Sequence, residues 1–171
     1  MDGVLTDYNY GAAQLFNATP EEHYLAAKTG RWPDSKWQMI RNNEHFYLNL
    51  PKMPKADQLV EIALKFRTNL NYSIKILTAI PHDNDMHEAF QDKFLWIDKH
   101  YGNYKFPVHF GPYSSDKHKH IKNNMDILVD DRLDNCEQWQ QSGAIAVHVP
   151  YNDYDKALQD LEQIYHDLTT S

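Results

Sequence analysis

Four stretches of this sequence carry side chains that could act together. Asp2 lies in Met1-Asp2-Gly3-Val4-Leu5-Thr6-Asp7, and Thr78 ends Ile74-Lys75-Ile76-Leu77. Lys117 and Lys119 sit in a polar run at 114–123, and Asp130-Asp131 follow Ile127-Leu128-Val129 directly. Continuous apolar runs of this kind read as strands buried on both faces, and open parallel sheets bind ligands outside the carboxyl ends of their strands. Adjacent carboxylates beside a buried strand repel each other unless a cation or a lysine sits between them. The acid pair therefore calls for a positive partner, and the two lysines lie just before it.

These residues need elements to hold them. From residue 55 onward helical and strand periods alternate, the pattern of an α/β fold with a mostly parallel sheet flanked by helices. A helix over 55–69 puts Leu59, Ile62, Ala63 and Phe66 on one stripe, and a strand over 74–78 ends before Pro81. A helix over 85–101 has Met86, Ala89, Phe90, Phe94 and Ile97 as its apolar stripe and Gly102 as its C-terminal cap. Strands follow at 107–110, 127–129 and 144–149, with helices at 133–142 and 153–168, the last turning Leu158, Leu161, Ile164, Tyr165 and Leu168 inward. Four strands result. Residues 8–54 break the alternation: they carry no strand pattern, are rich in aromatics and hold prolines at 20, 33, 51 and 54. They read as a small helical insertion.

Composition narrows the function classes. A chain of 171 residues suits one domain with a full core. The net charge of -7, with no run of Lys or Arg, excludes a nucleic acid polymer as partner and leaves room for a small anion held locally. No apolar stretch approaches the roughly 20 residues that cross a bilayer, the start is acidic where a signal peptide would be basic, and Cys136 is the single cysteine. The expectation is a cytoplasmic protein without membrane contact, with a homodimer left open. Cys136, on a helix with Trp139, is expected to be buried and inert. His118 and His120, alternating without a third ligand, do not make a zinc site.

The order acid, hydroxyl, lysine, acid pair is similar to the four motifs of the haloacid-dehalogenase superfamily of phosphohydrolases, whose first motif opens Asp-x-Asp-Gly. Within it the chain resembles the 5'(3')-deoxyribonucleotidases through Phe46-Tyr47-Leu48-Asn49-Leu50-Pro51, Ile76-Leu77-Thr78-Ala79, Lys93-Phe94-Leu95-Trp96-Ile97 and Asp126-Ile127-Leu128-Val129-Asp130-Asp131-Arg132. A receiver domain uses similar groups, but its acid pair follows the first strand and its lysine comes last, the reverse of the order here. The resemblance implies a Rossmann-like core from residues 1–7 and 55–171, with 8–54 as a small helical cap. It also implies magnesium-dependent hydrolysis of a phosphomonoester through a phospho-aspartyl intermediate. Asp2 would protonate the leaving oxygen and then activate water. Asp130 and the backbone carbonyl of Asp2 would hold Mg2+. Lys117, preferred over Lys119, and Thr78 would contact the phosphoryl oxygens, and Asp131 would hold the lysine.

In that motif the nucleophile is the first aspartate, and Met1 occupies the position between the two acids. The nucleophile would therefore fall immediately before Met1, and the strand expected to carry it is not in the chain. Losing about three inward apolar side chains, at roughly 1.5–3 kcal/mol each, approaches a whole domain's stability of about 5–15 kcal/mol. The expectation is that residues precede Met1 in the natural protein; the alternative is a shortened, inactive homologue that binds phosphate or a nucleotide. The substrate expected is a nucleoside monophosphate in deoxy form, against a sugar phosphate or another small ester. A nucleobase pocket combines aromatic faces with a few polar groups. Trp32, Trp37, Phe46 and Tyr47, among Gln38, Arg41, Asn42 and Asn43, offer both. Phe46, which opens the most family-like stretch, is the candidate base contact; the alternative is that these aromatics form the insertion's own core.

Overall fold

The computed structural model describes residues 1–30, 35–80, 87–111 and 114–170, so the expectations placed on Trp32, Pro81 and Met86 lie outside the described residues. In chain order the elements are α1 (Tyr8–Leu15), α2 (Pro20–Thr29), α3 (Lys36–Arg41), α4 (Ala56–Leu70), β1 (Ile76–Ala79), α5 (His87–Tyr101), β2 (Val108–Gly111), a 3-10 helix at Ser114–His120, β3 (Ile127–Asp130), α6 (Leu133–Gln141), β4 (Ile145–His148) and α7 (Tyr154–Thr170). The chain is a mixed α/β protein. Among the described residues no helix is long and apolar enough to cross a membrane.

Strand pairing is parallel, and it differs from the single sheet expected. β1 pairs with β2, placing Thr78 beside Phe110, and β3 pairs with β4, placing Asp130 beside His148. The described strands form two separate two-stranded sheets. Residues 1–6 add no strand to either sheet. The Met1 carbonyl accepts from the N–H groups of Val4, Leu5 and Thr6 at 3.2, 2.8 and 3.2 Å. That winds the segment into a turn, which contributes only an isolated bridge between Asp2 and Thr6 and another from Thr6 to Lys52.

One core unites both sheets with the helices behind them. Leu59, Ile62 and Phe66 of α4 and Leu158 and Leu161 of α7 are buried with Met1, Val4, Leu5, Ile76, Trp96 and Val147, and α4 packs on α7. A second cluster belongs to the insertion: Ala12, Ile40, Phe46, Tyr47 and Leu50 close on Ala89 of α5. Gly11 packs closely there, since a Cβ would lie 2.2 Å from a Leu50 methyl and would push that methyl aside. Helix α2 is closed at both ends, by a capping box between Thr19 and Glu22 and by Gly30 in the left-handed region.

Two local expectations are corrected. Gly102 does not cap α5 in a left-handed conformation; it opens a 3-10 turn over Gly102–Tyr104, and Lys105 takes the positive φ of 52°. The buried face of α5 is also not the phenylalanine stripe. Phe90 and Phe94 are 49% and 50% exposed, while Ala89, Asp92, Lys93, Trp96, Ile97 and Tyr101 face inward at helical spacing. The inward charges have partners: Asp92 Oδ1 lies 3.0 Å from His45 Nδ1, and Lys93 reaches the strand ends. Trp96 fixes the rotation of the helix by donating to the Leu50 carbonyl at 2.7 Å.

Candidate active site

The first part of the site is the N-terminal turn. Gly3 sits at φ +71°, and a Cβ on it would lie 2.4 Å from an Asp131 carboxylate oxygen. Both the backbone conformation and the close approach require glycine. The turn thereby lies directly against the acid pair that follows β3. Thr6, fully buried, donates to Asp2 Oδ1 at 3.3 Å.

Beside this turn the end of β1 meets the inward face of α5. Lys93 is 1% exposed. Its ammonium donates to Asp2 Oδ2 at 2.6 Å and to the Ala79 carbonyl at 2.7 Å, and it lies 3.5 Å from Thr78 Oγ1. The face of Tyr47, from the insertion, covers it at 4.6 Å. A lysine so withdrawn from water needs an anionic partner and its hydrogen bonds satisfied. Partial withdrawal from water pushes the Asp2 carboxyl up, and the Lys93 ammonium, with the other positive groups nearby, brings it below its ordinary value.

Across the turn stands the second charged pair. Asp130, 1% exposed at the end of β3, binds the Lys117 ammonium through Oδ2. Its Oδ1 accepts from the backbone N–H of Arg132 at 3.0 Å and from Asn135 Nδ2 at 2.9 Å. The 3-10 helix Ser114–His120 presents Lys117, and Lys117 and Thr78 line one shallow pocket with Leu77, Ala79, Gly111, Asp116 and His120. Lys119 instead points to solvent, with Asp116 2.9 Å away. The expectation that Asp131 holds the lysine is corrected, since Asp130 does so. Alternation along the chain turns Asp131 toward Gly3. Burial, and then the Asp130 charge, push Asp131 up to about 7.

Asp2, Thr78, Lys117, Asp130 and Asp131 are thus gathered around the first turn. Phe46 is elsewhere: it is buried in the insertion core, with its ring edge-on to Tyr8 and Tyr47 at 5.9 and 5.0 Å. Cys136 is buried, its thiol pushed up to about 12 by burial and the acid pair. Two residues of the site were missed in the sequence, Lys93 and Asn135. The signal for Lys93 was available as the i, i+3, i+4 spacing of Ala89, Asp92, Lys93, Trp96 and Ile97.

Magnesium takes hard oxygen donors, and oxygen is what this site offers: the Asp130 carboxylate, the main-chain carbonyl of Asp2, and beside them Asn135, whose buried Oδ1 has no hydrogen-bond partner. The donor types suit the ion, with Lys117 holding the Asp130 oxygen that a metal would take up. Among the described residues no three His, Cys, Asp or Glu side chains form a metal-binding group. Comparison with protein-family models, with curated proteins and with solved structures gave no match to this chain.

Proposed function

We propose that this chain forms the Rossmann-like core and helical cap of a magnesium-dependent phosphomonoesterase acting on nucleoside monophosphates, deoxyribonucleotides first. One observation carries the reading: two lysine–carboxylate pairs, Lys93–Asp2 and Lys117–Asp130, flank Thr78 and Asp131 at the ends of β1 and β3. Fixed ammonium groups beside a hydroxyl suit the charge of a phosphoryl group in transfer.

The chemistry divides among named atoms. The resemblance calls for a carboxylate as nucleophile, placed immediately ahead of Met1, which would bond to phosphorus as the ester P–O bond breaks. Asp2, ionised at rest beside Lys93, takes up a proton from solvent as the ester binds and passes it to the leaving oxygen. Asp2 then takes a proton from water, the water oxygen bonds to phosphorus, and the P–O bond to the nucleophile breaks to release phosphate. Lys117 and Thr78 hold the phosphoryl oxygens. Asp130 and the Asp2 carbonyl would hold magnesium, which supplies positive charge between the two anions that must approach.

The test is release of inorganic phosphate from a panel of esters, using the chain with an aspartate placed immediately ahead of Met1. Deoxynucleoside monophosphates are expected to be hydrolysed ahead of hexose phosphates, and the 171-residue chain alone is expected to release none. A panel won by hexose phosphates contradicts the nucleotide assignment. Phe46→Ala, run beside it, is expected to weaken nucleotides selectively; an equal loss for both classes places Phe46 in the core alone.

A further inference from the structure

Lys93 lies in one of the stretches that carry the resemblance but has no assigned role there, and its side chain, 2% exposed, is nearly as deeply buried as that of Asp130. It joins four parts of the molecule: its own helix α5, the N-terminal turn through Asp2, the end of β1 through the Ala79 carbonyl, and the insertion through the ring of Tyr47. An apolar residue would fill such a position at lower cost in desolvation, so the charge needs a reason. Asp2 supplies one. Its side chain is 31% exposed where that of Lys93 is 2% exposed, so the lysine holds from the buried side a carboxylate that is partly open to solvent.

The atoms divide the work. Lys93 occupies Oδ2 of Asp2 at 2.6 Å, whereas Oδ1 has only the longer bond from Thr6 at 3.3 Å. We propose that Lys93 is a positioning residue that acts through Asp2, clamping Oδ2 and compensating its charge so that Oδ1 is presented to a phosphate ester. Tyr47, 3% exposed, covers the ammonium and excludes water from the pair, tying the insertion to the orientation of Asp2. Lys93 commits its ammonium to Asp2 and the Ala79 carbonyl and does not line the pocket that Thr78 and Lys117 share. The inference rests on the phosphate-ester reading of the site.

Binding of inorganic phosphate to the 171-residue chain in the presence of Mg2+, followed by calorimetry, separates the possibilities. Wild type is expected to bind, and failure to bind overturns the phosphate reading and this inference with it. Given binding, Lys93→Met is expected to weaken it at least tenfold, because an uncompensated Asp2 carboxylate then faces the incoming anion. Lys93→Gln, which keeps a donor but loses the charge, is expected to weaken it similarly and serves if Lys93→Met does not fold. The double variant Asp2→Asn/Lys93→Met removes both charges and is expected to recover to within about threefold of wild type. A purely structural lysine predicts lower thermal stability with unchanged phosphate affinity in the folded variants, which overturns the proposal. A double variant as weak as Lys93→Met shows that Lys93 meets the phosphate directly, and overturns it equally.

Discussion

The two lysine–carboxylate pairs look alike and are built in opposite ways. In one, the lysine is buried and the carboxylate of Asp2 is 31% exposed; in the other, the carboxylate of Asp130 is buried and the Lys117 side chain is 11% exposed. Lys117 and Asp130 are 13 residues apart and meet through a short 3-10 helix and the strand after it. Lys93 and Asp2 are 91 residues apart and meet only when α5 packs under the N-terminal turn. The first pair is therefore a local feature of one strand end, and the second is a product of tertiary packing. A stranded charge costs most where water cannot reach it, so the two pairs should respond differently to the loss of the lysine.

That asymmetry gives the largest expected effect. Lys117→Met leaves Asp130 buried with only a backbone N–H and Asn135 as partners, and should lower unfolding stability by about 3 kcal/mol. Lys93→Met leaves Asp2 able to hydrate and should cost only about 1–2 kcal/mol. Urea titrations at pH 7 measure both. Equal losses, or a larger loss for Lys93→Met, would break the contrast.

A smaller effect concerns Asp131, which belongs to neither pair. Burial, and then the Asp130 charge beside it, raise its carboxyl to about 7, so between about pH 4 and 7 the folded state holds a proton that the unfolded chain has released. Stability from this group is therefore lost as pH rises through that window. Asp131→Asn should remove the loss, gaining about 1–2 kcal/mol on wild type between pH 4.5 and 8. Thermal melts across that range check it, and a difference that does not change with pH would show that Asp131 is ionised throughout.

The same contrast explains what the sequence made legible. Strand ends reveal themselves locally, because an apolar run stopped by Asp130-Asp131 or by Thr78 needs no knowledge of the rest of the chain. Lys117 was within reach for the same reason. The inward face of α5 was misjudged because Phe90 and Phe94 outweigh Asp92 and Lys93 on any scale of hydrophobicity, although both charges lie inside with partners from distant segments. Phe46 illustrates a related limit: a segment rich in aromatics reads equally well as a ligand pocket or as its own core, and here Phe46 packs on Tyr8 and Tyr47. The turn that the Met1 carbonyl closes with Val4, Leu5 and Thr6 is likewise something no periodicity reports.

The central claim is that the strand-end cluster is a magnesium-dependent site for a phosphate ester. Calorimetric titration of the 171-residue chain with a deoxynucleoside monophosphate, with and without Mg2+, tests it most directly, with Asp130→Asn run in parallel. The account predicts saturable binding at one site per chain that requires Mg2+ and weakens at least tenfold in Asp130→Asn, about 1.4 kcal/mol or more. Binding of equal strength without Mg2+, or binding that Asp130→Asn leaves unchanged, would contradict it.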